Sequence, residues 1–219
     1  MKGYFITLEG GEGSGKTTQL AILGHYLEAK GYTIVRTREP GGTKIGDALR
    51  SFLLHPPTPD SGIHQLVDPK TELFLYLASR AQHIREVILP ALIEGKIVLC
   101  DRFTDATIAY QGDGRGLPKR AVERMARFAA QIGKSNDTPL QPDLTFLLDV
   151  EVKKGLSRLK GRDEINRIDR ETLQFHEAVR RGYLSLARRN RRRIHLINTD
   201  AGIEATSARV REVIDALLS

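Results

Sequence analysis

The octapeptide Gly10-Gly11-Glu12-Gly13-Ser14-Gly15-Lys16-Thr17 constrains this chain more than any other feature. It fits the pattern of a glycine, four residues, then Gly-Lys-Thr, which arises by chance in roughly 1% of chains of this length. An apolar run, Tyr4 to Leu8, precedes it. A segment with Leu20, Leu23 and Leu27 on one helical stripe follows and stops at Gly31. Glycines let backbone N–H groups converge on a phosphate, and the helix N-terminus adds its dipole. The loop, with Thr18 beside it, is therefore read as a cradle for ATP. Lys16 reaches the β- and γ-phosphates, and the Thr17 hydroxyl faces Mg²⁺.

Such a loop needs a parallel sheet behind it, and the remaining sequence supplies one. Short runs rich in Val, Ile, Phe and Leu alternate with segments of helical period, the sign of an α/β fold. Strands are predicted near Tyr4 to Leu8, Tyr32 to Arg36, Lys96 to Cys100, Leu144 to Leu148 and Ile194 to Ile197. Helices are predicted over Lys16 to Lys30, Thr71 to Glu94 with Pro90 as a kink, Lys119 to Lys134, Lys153 to Lys160, Glu171 to Arg189 and Ile203 to Leu218. His55 to Asp60, Gln111 to Gly116 and Ser135 to Asp143 read as loops. The expected architecture is a single domain over residues 1–219 with a five-stranded parallel sheet, helices on both faces and a short helical lid.

Composition narrows the class. With 40% hydrophobic and 28% charged residues in 219, the chain can bury a core without disulfides or a structural metal. Cys100 stands alone, which suits a reducing compartment. The start is too short in apolar residues for a signal-peptide core, and no run approaches the ~18 residues of a membrane span. The expectation is a cytoplasmic protein with no membrane partner. The formal charge of +7 is concentrated between Arg158 and Arg193, where twelve Lys/Arg face five Asp/Glu. Within it, Arg188 to Arg193 reads either as a solvated helix face or as a nucleic-acid patch; without interleaved aromatics the solvated face is preferred and no nucleic-acid partner is expected.

The third strand ends in Asp101-Arg102, placing a carboxylate where Mg²⁺ is held beside such a loop and a guanidinium toward the crevice. An Asn-Lys-x-Asp base-reading signature is absent, which turns the reading from a GTP switch toward a kinase. A kinase joins two anions and needs mobile cations. Arg158, Lys160, Arg162, Arg167 and Arg170 sit around a polar break and suit a lid at about 158–170; the alternative is a surface loop paired with Asp163, Glu164 and Asp169. Tyr76 and Arg80, four apart on a helix, share a face; by itself Tyr76 reads as a core aromatic, and the alternative is that ring and guanidinium together stack on a pyrimidine and donate to its carbonyl edge. Arg102 suits a bidentate clamp on an acceptor phosphate. That phosphate is already a nucleophile, so no general base is required.

Over nearly its whole length the chain resembles the bacterial thymidylate kinases. The likeness is carried by the glycine loop, Arg38-Glu39-Pro40-Gly41-Gly42-Thr43, Leu75 to Arg80, Asp101-Arg102 with Ala109-Tyr110-Gln111, Pro142 to Asp149 and Arg180 to Leu184. The resemblance implies transfer of the ATP γ-phosphate to thymidine monophosphate (dTMP) by a homodimer. It implies that Thr107 meets the base, that Tyr110 and Gln111 lie near the deoxyribose, and that Glu39 and Pro40 open an acceptor-side turn with a cis peptide. It places adenine at Asp200 and Ala201, and Glu12 near the acceptor sugar or a lid arginine. With Lys16 the loop's only cation, Arg158 and Arg162 then neutralise transition-state charge. The chain departs from the family at Tyr76, where Phe is usual, at Ala106, Asp163 and Asn166. Another nucleotide or nucleoside kinase, and a nucleic-acid-dependent ATPase, are the competing readings.

Overall fold

Alternation along five short apolar segments decides the architecture. The computed structural model describes residues 3–55, 67–133, 138–159 and 165–218. The segments form β1 (Tyr4–Glu9), β2 (Ile34–Arg38), β3 (Ile97–Asp101), β4 (Leu144–Asp149) and β5 (Ile194–Asn198). All pair in parallel, in the order β2-β3-β1-β4-β5. The helices are α1 (Lys16–Ala29), α2 (Lys44–Leu54), α3 (Pro69–His83), α4 (Leu89–Ile93), α5 (Thr104–Thr107), α6 (Lys119–Ala129), α7 (Val152–Ser157), α8 (Leu173–Arg189) and α9 (Ile203–Leu218). A π-helical turn, Ile84–Ile88, joins α3 to α4, and a longer one, Ile108–Gly114, extends α5.

Successive strand residues face opposite sides, so each strand feeds two cores. Ile6, Leu8, Leu99, Phe146 and Leu148 pack with Leu20, Leu23 and Leu27 of α1 and with Val210 and Ile214 of α9. On the other face, Phe5, Val98 and Cys100 meet Ile84, Ile88 and Phe103. Leu147 and Ile194 meet Val179, Tyr183 and Leu186 of α8. Each such buried side chain contributes about 1.5–3 kcal/mol. The loop after β1 is thereby anchored on both sides at the carboxyl edge of the sheet, where open α/β folds bind ligands.

All five predicted strands form, with shifted ends. β2 starts at Ile34 because the Tyr32 amide is spent on the Leu27 carbonyl at 3.1 Å, closing α1. The helix predicted from Thr71 begins earlier, at Pro69, where the Asp68 side chain caps the Lys70 amide at 2.8 Å and proline suits the first turn. Its break is the π turn just ahead of Pro90, a residue with no amide to continue the ladder. The helix predicted to Lys134 stops at Ala129, and the one predicted to Lys160 stops at Ser157; Lys134 and Lys160 lie outside the described residues. α8 starts at Leu173 under the Thr172 cap, later than the predicted Glu171. Gln111 to Gly114, predicted as loop, is helical. The unpredicted α2 is capped by the Thr43 hydroxyl, which accepts from the Gly46 amide at 2.9 Å. Residues 56–60 and 135–137 of the predicted loops lie outside the described residues.

Candidate active site

The glycine loop is built by close approach. A Cβ on Gly13 would stand 1.9 Å from the Gly155 carbonyl oxygen, and one on Gly155 would stand 2.4 Å from that of Glu12. The loop backbone therefore rests directly on α7. Inside it, the Lys16 ammonium donates to the Gly10 and Gly11 carbonyls at 3.2 and 2.8 Å and to Ser14 Oγ at 3.3 Å. Burial and the neighbouring Arg102 lower its pKa. The Thr17 hydroxyl is 3.4 Å from Asp101 Oδ2, while Asp101 Oδ1 is buried with no hydrogen-bond partner.

Arg102 projects from a left-handed backbone with φ 72°, a strained conformation for a bulky side chain. Its guanidinium donates to the Gly10 carbonyl at 2.9 Å, to the Tyr183 hydroxyl at 3.2 Å and to Glu12 at 2.7 Å, and lies 4.8 Å from the centre of the Tyr110 ring. Tyr110 donates to the same Glu12 oxygen at 2.7 Å. Burial alone would raise the Glu12 pKa; Arg102, Lys16 and the Tyr110 hydrogen bond outweigh it and hold the carboxyl down at about 2. Glu9 shows the reverse balance. It accepts from the Phe103 amide and the Tyr183 hydroxyl, both at 2.7 Å, but burial and the Asp105 charge raise it to about 8.

Beside this cluster opens a pocket of about 100 Å³ that brings together Glu12, Glu39, Pro40, Tyr76, Arg80, Arg102, Thr107, Tyr110 and Gln111, all nine residues predicted for the acceptor. The Glu39–Pro40 peptide is cis, as the resemblance implies. Arg80 is 2% exposed. Its Nε donates to Glu39 at 2.8 Å, its guanidinium lies 5.0 Å from the centre of the Phe103 ring, and its Nη1 is buried without a partner. His83, linked to Thr37 at 2.6 Å, holds the other Glu39 oxygen at 3.1 Å. Gln111 donates its amide N–H to Glu72 at 2.8 Å. Burial pushes the Tyr76 phenol up to about 12, keeping it neutral.

A second opening, of about 210 Å³, lies over Gly13, Ser14, Gly15 and Thr18 and is closed by Arg158, Thr199 and Ile203. Arg158 donates to the Gly13 carbonyl at 3.1 Å. Asp200 and Ala201 belong to the same loop, but Thr199, Gly202 and Ile203 line the opening, and the Asp200 carboxylate is paired with Lys154. Arg162, with Lys160, Asp163 and Glu164, lies outside the described residues. Arg167, predicted among the lid cations, is engaged by other partners. It donates to the Leu53 carbonyl at 3.0 Å and to Glu72 at 2.6 Å, fixing Asn166 and Ile168 over the acceptor pocket. Arg170 is exposed.

The thymidylate kinase family model matches residues 8–210. The chain belongs to the thymidylate kinase family. A thymidylate kinase from Pelobacter propionicus is 47% identical over 211 residues, covering 94% of this chain and 90% of that one. One from Geobacter sulfurreducens is 47% identical over 218 residues, covering 97% and 96%. The crystal structure of thymidylate kinase from Ehrlichia chaffeensis superposes with a TM-score of 0.75 at 32% identity, covering 98% of this chain and 99% of that one. Phosphorylation of dTMP with ATP as donor is the activity of thymidylate kinases, and the chain is a nucleoside monophosphate kinase.

Sequence reasoning missed three residues of this thymidylate kinase site. Arg50 lines the acceptor pocket and donates to the Pro40 carbonyl at 3.0 Å; with α2 unpredicted, nothing in the sequence aimed it there. Tyr183 bridges Glu9 and Arg102 from α8. Phe103 forms the pocket wall behind Arg80. The predicted departure at Ala106 falls on the pocket lining, where its methyl group offers no hydrogen bond.

Proposed function

We propose that this chain phosphorylates dTMP in the pocket between α3 and α5, with ATP over the glycine loop. The observation that carries the assignment is Arg80 Nη1, a buried donor without a partner, on a side chain that lines the pocket together with Tyr76 and Phe103. A buried guanidinium N–H left unmatched costs about 1–3 kcal/mol, so the site favours a planar ring that brings an acceptor oxygen. The thymine ring lies against Tyr76 and Phe103, one of its carbonyls takes the Arg80 N–H, and Thr107 reaches its edge. Tyr110 and Gln111 close on the deoxyribose. Arg102 and Arg50 hold the acceptor phosphate, whose oxygen attacks the γ-phosphorus in line as the bond from that phosphorus to the β–γ bridging oxygen breaks and ADP leaves.

Positioning and charge supply the catalysis. Lys16 and the loop amides hold the β- and γ-phosphates, while Arg158 and Arg162 neutralise charge from the lid at about 158–170. Asp101 and Thr17 fit Mg²⁺: hard oxygen donors, one of them a buried carboxylate oxygen without a partner, beside phosphates that complete the coordination. When bound, the ion supplies charge neutralisation between donor oxygens. No helix among the described residues is long and apolar enough to cross a membrane. We place the enzyme in the cytoplasm, as a homodimer.

ADP formation from ATP tests the reaction. It should require both dTMP and Mg²⁺, and a comparable rate with the other nucleoside monophosphates would reject the base assignment. Arg80→Lys keeps a cation for Glu39 but loses the planar fork, so KM for dTMP should rise at least tenfold while kcat changes less than threefold.

A further inference from the structure

The segment from Phe103 to Gln111 has two faces. Phe103, Ala106, Thr107 and Tyr110 line the acceptor pocket, whereas Thr104, Asp105 and Ile108 line a separate cavity of about 280 Å³. Its other walls are the C-terminal half of α6, the residues leading into β4 and the turn between α8 and β5. These lead into the amino ends of β4 and β5, whereas the glycine loop leaves the carboxyl end of β1. The cavity therefore belongs to neither nucleotide site.

Its lining has the chemistry of a recognition site. Ile108, Leu140, Pro142 and Leu186 give it an apolar floor, and three guanidinium groups stand around that floor. The Arg193 group is spent: it meets both oxygens of Asp105 at 2.7 and 2.9 Å and Thr145 at 2.8 Å. Arg189 reaches Glu123 only at 3.7 Å. Arg127 is exposed and has no carboxylate partner among the described residues. The Thr104 hydroxyl is buried without a hydrogen-bond partner. A buried polar atom left unmatched next to an apolar surface is satisfied by a ligand that presents both kinds of group. The two available guanidinium forks match phosphate oxygens, and the floor matches a ring. At about 280 Å³, just under the ~300–1,000 Å³ of drug-sized pockets, there is space for one ring and one phosphate.

We propose that this cavity is an effector site for a small phosphate monoester carrying a flat ring, and that its occupancy acts on the acceptor pocket through the shared segment 103–111. The kinetic half rests on the thymidylate kinase reading; the binding half does not.

Calorimetry on the full chain tests it, with both nucleotide sites filled by an analogue that joins adenosine to thymidine through five phosphates. The probes are phenyl phosphate, thymidine monophosphate and inorganic phosphate. One site per chain is expected for the two esters, with Kd raised at least tenfold in an Arg127→Ala/Arg189→Ala double variant and severalfold in Thr104→Val. Absence of saturable binding, unchanged Kd in the double variant, or inorganic phosphate binding as tightly as the esters overturns the proposal. In turnover assays phenyl phosphate should change KM for dTMP at least twofold in the wild-type chain and not in the double variant, whose rate without effector is unchanged. The same response in both overturns the coupling. The analogue's own titration reports on the nucleotide sites, so the two readings fail independently.

Discussion

Glu12 is a carboxylate inside a loop that holds phosphates, and its partners explain why it is tolerated. Arg102 and Tyr110 spend its charge on the acceptor side, away from the loop amides. Its folded pKa of about 2 lies below the ordinary 4.5, so between these values the unfolded chain binds more protons than the folded one. Its contribution to stability is present above pH 4.5 and is lost as pH falls through about 2, on the order of 3 kcal/mol in all. Glu9 has the opposite sign: its contribution is present below pH 4.5 and is lost as pH rises through about 8. Urea unfolding from pH 2 to 9 should therefore show a shallower acid limb in Glu12→Gln and a flatter limb above pH 5 in Glu9→Gln. An acid limb in Glu12→Gln that parallels the wild type would refute the Glu12 account. Of the residues that line the pocket, only Tyr76 and Arg80 were joined by spacing, on one helical face; Glu39, Pro40, Thr107, Tyr110 and Gln111 were reached through the family resemblance, since no local pattern links them. The Glu12 environment was not legible, because its partners lie about ninety residues away.

Helix α7 is an element whose value lies in what it presses against. Gly155 lets it seat on the loop at Glu12, so Gly155→Ala forces the added methyl against backbone, 2.4 Å from the Glu12 oxygen and 3.1 Å from Val150 Cγ1. Overpacking of this kind costs about 1–3 kcal/mol. The strain falls on the loop, so KM for ATP should rise several-fold with little change in KM for dTMP. A variant with wild-type KM for ATP and unchanged melting temperature would show that α7 does not set the loop. Strands β1, β3 and β4 were readable from their apolar runs, since a strand buried on both faces needs little else, and the half-exposed edge strands β2 and β5 from their shorter Ile/Val/Leu segments. Helix α2 was not, although Ile45, Ala48, Leu49, Phe52 and Leu53 recur at helical spacing behind the Thr43 cap, because the run is short and sits between the Gly41-Gly42 turn and Pro56-Pro57. Arg50 was lost with it. Arg167 was misplaced for a related reason: a cation's sequence neighbourhood does not reveal that a buried carboxylate, Glu72, waits on α3.

At the scale of the molecule, the outer surfaces of α2, α3 and α6 carry large apolar side chains in water. Phe74 is 57% exposed and Phe128 74%, with Phe52 beside them at 42%. α2 packs on α3, and α3 packs on α6, so the three rings sit on neighbouring elements rather than scattered over the chain. Contiguous apolar patches on a monomer rarely exceed a few hundred Å², and a larger one marks an interface. In the proposed homodimer a second copy would cover this patch, and α3 also walls the acceptor pocket, so pairing would stiffen the helix that carries Tyr76 and Arg80. Phe74→Asp sets a charge into that patch, where a symmetric pair would meet it twice. Light scattering after gel filtration should give twice the 24.4 kDa chain mass for the wild type and the single mass for the variant, with the melting temperature becoming independent of protein concentration. A wild-type chain that elutes at the single mass at micromolar concentration, or a Phe74→Asp variant that still elutes at twice it, would remove this face from the assembly.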